Sequence, residues 1–138
     1  MVAVCRRHPK TPMFRYYPLT LLAVIVTATV CLMPIPEPPL GDVPFMDKWT
    51  HMVLFGGIAS VALFELAMNR GLHTSWRWTF PVLAALYGGL IEVMQAFLTS
   101  TRSGDWWDFL ADVVGVAVIA PIVYAVLRRF RRGDSTSV

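Results

Sequence analysis

Four stretches of this chain, residues 16–33, 49–68, 78–98 and 106–127, are apolar almost throughout, and short segments between them carry most of the charge. A helix needs about 20 such residues to cross the hydrocarbon of a bilayer. Inside it, each backbone N–H and C=O must find its partner within the helix or a closed sheet. The runs do not alternate apolar and polar residues, as the strands of a membrane β-barrel would. Tyr16, Tyr17, Trp49, Trp76, Trp78, Trp106 and Trp107 all fall near the ends of the runs, where amphipathic rings favour the headgroup region. The pattern predicts an all-α membrane protein, a bundle of four transmembrane helices.

Composition agrees. The 138 residues are 56% hydrophobic and 15% charged, with a mean hydropathy of +0.56, against about 25% charged in a soluble domain. Ten of the twelve Lys and Arg fall in three clumps: Arg6, Arg7, Lys10 and Arg15; Arg70 and Arg77; and Arg128, Arg129, Arg131 and Arg132. Four crossings put all three clumps on one side, and short cytoplasmic segments are the basic ones. Both termini are therefore expected in the cytoplasm. Residues 1–15 form an N-terminal segment, 16–127 the membrane domain and 128–138 a basic tail. The first run has a basic start like an export signal, but "TATVCLMP" lacks an Ala-x-Ala cleavage site and matches a lipoprotein site only weakly, which favours a retained span. The basic balance shows no soluble face with interleaved aromatics, so no nucleic-acid partner is expected. Cys5 and Cys31 lie on opposite sides of the first span, too far apart for a disulfide.

The informative stretch is "TRSGDWWDFLADVVG", residues 101–115, with three aspartates at the mouth of the fourth span. At 100° per residue, Asp105, Asp108, Asp112, Gly115 and Ile119 share one stripe. The third span carries Ala85, Gly88, Glu92, Gln95 and Thr99 on one stripe, and the second carries Asp47, Lys48, His51, Phe55, Ile58 and Ala62. Counted from the outer ends, His51, Glu92 and Asp112 lie at one level, roughly 5–10 Å deep. A charged side chain facing lipid at mid-helix costs on the order of 2.5–3.5 kcal/mol. The stripes are therefore expected to face one another around a hydrated pocket open to the outer surface. Small-residue pairs (Gly56 and Ser60, Ala85 and Gly89, Ala111 and Gly115) would let the helices approach closely. Asp47 and Asp105 also suit helix caps. Glu65 lies roughly 27 Å further in than Asp47, with Asn69, Arg70 or Arg77 as the expected partner.

"DKWTHMVLF", "LIEVMQAF" and "TRSGDWWDFLADVVG", in that order, resemble the VanZ-like family of small bacterial membrane proteins. The matching positions are Asp47, Lys48, His51 and Phe55; Glu92 and Gln95; and Arg102, Asp105, Asp108, Asp112 and Gly115, within about residues 47–120. Asp112 stands where many relatives carry Asn. The resemblance implies an integral protein of the bacterial cytoplasmic membrane with a role in the cell envelope. The family is linked to resistance to the glycopeptide teicoplanin, and most members have no established activity.

The expected site is a ligand-binding pocket of Lys48, His51, Glu92, Gln95, Arg102, Asp105, Asp108 and Asp112. Its ligand would be an amphiphilic envelope molecule, such as a lipid-linked wall precursor or a lipoglycopeptide, bound without catalysis. No cofactor is expected, and no linear metal-binding motif such as HExxH is present. Two other readings stay open. One is a membrane-embedded enzyme with Glu92, Asp108 and Asp112 as acid and base. The other is a proton-coupled transporter, which with four helices would need a homo-oligomer.

Overall fold

Each apolar run folds as an α-helix in the computed structural model, which describes residues 16–33, 45–69, 76–99 and 104–134. The helices are α1 (Pro18–Leu32), α2 (Met46–Asn69), α3 (Trp76–Leu98) and α4 (Trp106–Asp134). At 1.5 Å per residue, α2, α3 and α4 are about 36, 35 and 44 Å long. These three have the length and composition of membrane spans. α1 is apolar but has 15 residues, about 22 Å, and is shorter than the run that predicts it. α4 is longer than its run, because the helix continues through the basic stretch from Arg128.

Large apolar side chains on all four helices point outward. Leu22, Ile25, Val53, Leu86, Val118 and Ile122 are each more than half exposed. In water such a surface would aggregate; against acyl chains it is the matching solvent. α2 lies at the centre, with 56% of its most apolar stretch buried, against 33% for α3 and 28% for α4. Phe55, Ile58, Ala59, Ala62, Leu63 and Leu66 of α2 form the core, closed by Phe80, Ala84 and Ile91 of α3 and by Val116 and Ala120 of α4.

α2 and α4 run parallel and pack most extensively on each other. Glycine sets their spacing. A Cβ on Gly115 would lie 2.7 Å from the Cα of Met52, and one on Gly56 would run into the Ile119 side chain. Gaining area by shedding water is not available between helices in lipid, so close van der Waals contact of this kind drives association.

α1 is held by polar groups at both ends and in the middle. Its start has no local cap. Instead the Glu65 carboxylate of α2 accepts from the Leu19 and Thr20 backbone N–H groups at 2.8 and 2.9 Å and from the Thr20 hydroxyl at 2.6 Å. A carboxylate suits the positive end of a helix. Glu65 therefore does not pair with Asn69 or Arg77 as expected, because orphan N–H groups in an apolar setting are the stronger claimants; Arg70 lies outside the described residues. Asn69 bonds the Tyr16 carbonyl instead. Tyr87 of α3 donates to the Val24 carbonyl at 2.9 Å, and Gln95 Nε2 donates to the Cys31 carbonyl at 2.9 Å.

Gly115→Ala should force α2 and α4 apart and cost about 1–3 kcal/mol, read as a fall in unfolding free energy in detergent micelles. Gly57→Ala is the matched control: a Cβ there meets nothing within 4 Å, and stability should hold or rise slightly.

Candidate functional site

Three helix ends meet where α2 and α4 begin and α3 finishes. α2 contributes Asp47, Lys48 and His51, α4 contributes Asp108 and Asp112, and α3 contributes Glu92. Asp105 is the residue before α4 and caps it: its Oδ1 accepts from the Trp107 N–H at 2.9 Å. The same carboxylate meets Lys48 through Oδ2 at 3.2 Å, and Lys48 Nζ also donates to Asp108 Oδ1 at 2.9 Å. Asp105 thus caps α4 and also joins the cluster through Lys48. Asp47, read from sequence as a cap, sits in the first turn of α2 with its carboxyl against that of Asp108.

One turn deeper, His51 Nδ1 lies 3.0 Å from Asp112 Oδ1 and 3.6 Å from Glu92 Oε1. The other Glu92 oxygen accepts from the Asp105 backbone N–H at 2.8 Å, which ties α3 to the start of α4 and turns Oε1 toward His51. The ring of His51 stacks on Phe55, with centroids 6.0 Å apart. Asp112 packs against Gly88, where a Cβ would come within 2.9 Å of Asp112 Cβ and Cγ. Any larger residue at position 88 would displace the carboxylate.

Accessibility falls steeply with depth. The Asp105 and Lys48 side chains are 40% and 30% exposed, Asp108 and Glu92 are 7% and 9%, and His51 and Asp112 are 1% and 0%. The cluster has an accessible rim and a dry floor. On the floor, His51 Nε2, Glu92 Oε1 and Asp112 Oδ2 have no hydrogen-bond partner. Buried polar atoms are nearly always paired.

Of the residues predicted for the pocket, Lys48, His51, Glu92, Asp105, Asp108 and Asp112 come together. Gln95 shares their helix face but spends its amide on α1. Arg102 lies outside the described residues. Asp47, passed over as a cap, belongs beside Asp108. Its place one turn before His51, on the stripe of Lys48 and His51, is the signal that marks it.

The fold is an all-helical bundle with three helices of membrane-spanning length and a carboxylate–histidine–lysine cluster at one end. No family model, no curated protein and no solved structure matches the chain.

Asp105 lies outside the spans. The Trp107 amide, and then the Lys48 ammonium, hold its carboxyl below the usual carboxylate range. A lowered pKa gives a contribution to stability that is present above the ordinary value and is lost as pH falls through the lowered one. Carboxyl-carbon NMR should show Asp105 ionised under acid conditions that protonate a free aspartate. Lys48→Met should raise its midpoint only part of the way, because the Trp107 amide remains.

Proposed function

We propose that this protein is a VanZ-like integral protein of the bacterial cytoplasmic membrane that binds the polar head of a lipid-linked or amphiphilic envelope molecule, without catalysis. The observation that carries the reading is the accessible rim. Lys48 and Asp105 stay partly exposed beside buried acids, and Trp49, Trp106 and Trp107 are each more than half exposed around them. A molecule whose chains lie in the bilayer would bring its head to this level. The ammonium would take a phosphate or carboxylate, and the acids would take hydroxyl or amine groups.

In this reading α1 is the fourth span. It is anchored at one end by Glu65 and at the other by Gln95, so its 15 residues bridge most of the depth of the bundle. The basic segments then share the cytoplasmic side, with both termini, and the carboxylate cluster faces outward.

Binding is favoured over transport by what lies beneath the cluster. Phe55, Ile58, Ala59, Ala62, Leu63 and Leu66 are buried and apolar along the next three turns of α2. The acid within this stretch, Glu65, is spent on α1. A proton relay through the bundle would need polar steps there.

The protein in lipid nanodiscs should bind a polyprenyl-linked sugar phosphate or a lipoglycopeptide more tightly than phosphatidylethanolamine, measured by native mass spectrometry. Losing a charged hydrogen bond is worth about 1.5–3 kcal/mol, so Lys48→Ala should weaken binding roughly tenfold or more. Equal binding by the wild type and Lys48→Ala, or no preference over the bulk lipid, would reject the headgroup site.

A further inference from the structure

The floor of the cluster makes a demand that hydrogen bonding does not meet. We propose that His51, Glu92 and Asp112 bind a single divalent transition-metal ion through Nδ1, Oε1 and Oδ1.

The first argument is geometric. One donor atom from each of the three residues lies within 4.8 Å of the other two, and all three side chains are buried. Nδ1 stands 3.0 Å from the Asp112 oxygen and 3.6 Å from the Glu92 oxygen. Nitrogen and oxygen ligands about 2.0–2.2 Å from a tetrahedral ion are roughly 3.3–3.5 Å apart. These two separations bracket that value, and an oxygen of Glu92 and one of Asp112 lie within 4.8 Å of each other, so the three side chains can close on one ion.

The second argument is the unpartnered atoms. Glu92 Oε1 and Asp112 Oδ2 are buried acceptors without donors. A proton on Nδ1 can point at one carboxylate, and the 3.0 Å contact to Asp112 would use it. Glu92 Oε1 would still be unserved. A metal ion between the three ligands serves both carboxylates at once, and Asp112 can offer either oxygen or both. The Glu92 carboxylate is already steered by the Asp105 amide on its other oxygen, the kind of outer contact that orients metal ligands.

The third argument is charge. Neutral His51 with ionised Glu92 and Asp112 carries two negative charges in a dry site, and uncompensated charge in a low dielectric is costly. Among the described residues, the one nearby ammonium, Lys48, pairs with Asp105 and Asp108 at the rim and not with the floor. A divalent ion brings the floor to neutrality. The same ammonium makes the outer group of Asp47, His51 and Asp108 a poor cation site, since Nζ is already 2.9 Å from Asp108. Imidazole nitrogen with carboxylate oxygen favours zinc, iron or manganese over magnesium or calcium, which take oxygen alone. Three protein ligands would leave one position open. The ligands come from three helices, which is why no linear motif announces the site.

The test uses the untagged full chain in nanodiscs, stripped with chelator and dialysed against Zn²⁺, with Co²⁺ as the spectroscopic substitute. About one zinc ion per chain should be retained, and magnesium should not displace it. Co²⁺ should give the intense visible bands of a four- or five-coordinate nitrogen–oxygen site. Losing even an outer contact weakens metal binding 10–100-fold, so Glu92→Gln, Asp112→Asn and His51→Ala should each weaken it roughly 100-fold or more. Arg77→Gln, at the opposite end of α3, should bind zinc like the wild type. If the variants fail to fold, the wild type decides alone, by its zinc stoichiometry and cobalt spectrum. Wild type that holds no stoichiometric zinc, or variants that hold it undiminished, would overturn the proposal. Headgroup binding is scored separately through Lys48. A metal-free protein that still binds amphiphiles refutes the ion alone, and a zinc-bound protein that binds none refutes the headgroup reading alone.

Discussion

A carboxylate that faces acyl chains at mid-helix costs on the order of 2.5–3.5 kcal/mol, and this bundle carries five acids at one end. Asp47, Asp105, Asp108, Glu92 and Asp112 all turn toward one another, and toward Lys48 and His51, instead of toward lipid. The arrangement of the spans follows from that. α2 and α4 have to run parallel for their acidic ends to coincide, and α3 has to run against them so that Glu92, near its end, reaches the same level. Gly115 and Gly88 then have to lack side chains, one so that α2 and α4 touch and the other so that Asp112 fits beside α3.

The opposite end solves a different problem. α1 starts with free N–H groups and no local cap, and Glu65 supplies the acceptor from α2. Gln95 closes the other end of α1. Buried polar residues thus do two jobs in this fold. Some hold a short helix to a bundle that offers it little hydrophobic driving force in lipid. Others gather at the rim and floor of one cluster, where unpartnered atoms mark groups that packing alone does not satisfy.

Much of this was legible before any coordinates. The second stripe, His51, Phe55, Ile58 and Ala62, is the buried face of α2, because a helix repeats every 3.6 residues wherever it packs. The meeting of His51, Glu92 and Asp112 could be read from equal depth on successive antiparallel spans. Partners were harder to read. Glu65 looked like half of a salt bridge because neighbouring cations are visible in sequence, whereas the uncapped start of α1 is not. Gln95 sits on the right face at the right level, yet its amide goes to Cys31. Stripe membership fixes a direction and leaves the competing acceptor unknown. The lengths of α1 and α4 also escaped hydropathy, which marks where lipid is tolerated and not where hydrogen bonding stops. The unpaired oxygens of Glu92 and Asp112 had no signal in sequence at all, since they depend on distances between three helices.

The account stands on the inward contact between His51 and Asp112, and a double-mutant cycle tests it most directly. His51→Gln, Asp112→Asn and the double variant would be unfolded reversibly in bicelles beside the wild type. Residues in one buried network couple by about 0.5–3 kcal/mol, whereas independent sites add within about 0.3–0.5 kcal/mol. A coupling of about 1 kcal/mol or more is the predicted result. Strict additivity would mean that the two side chains do not meet, and would contradict the cluster on which the fold and the site both rest.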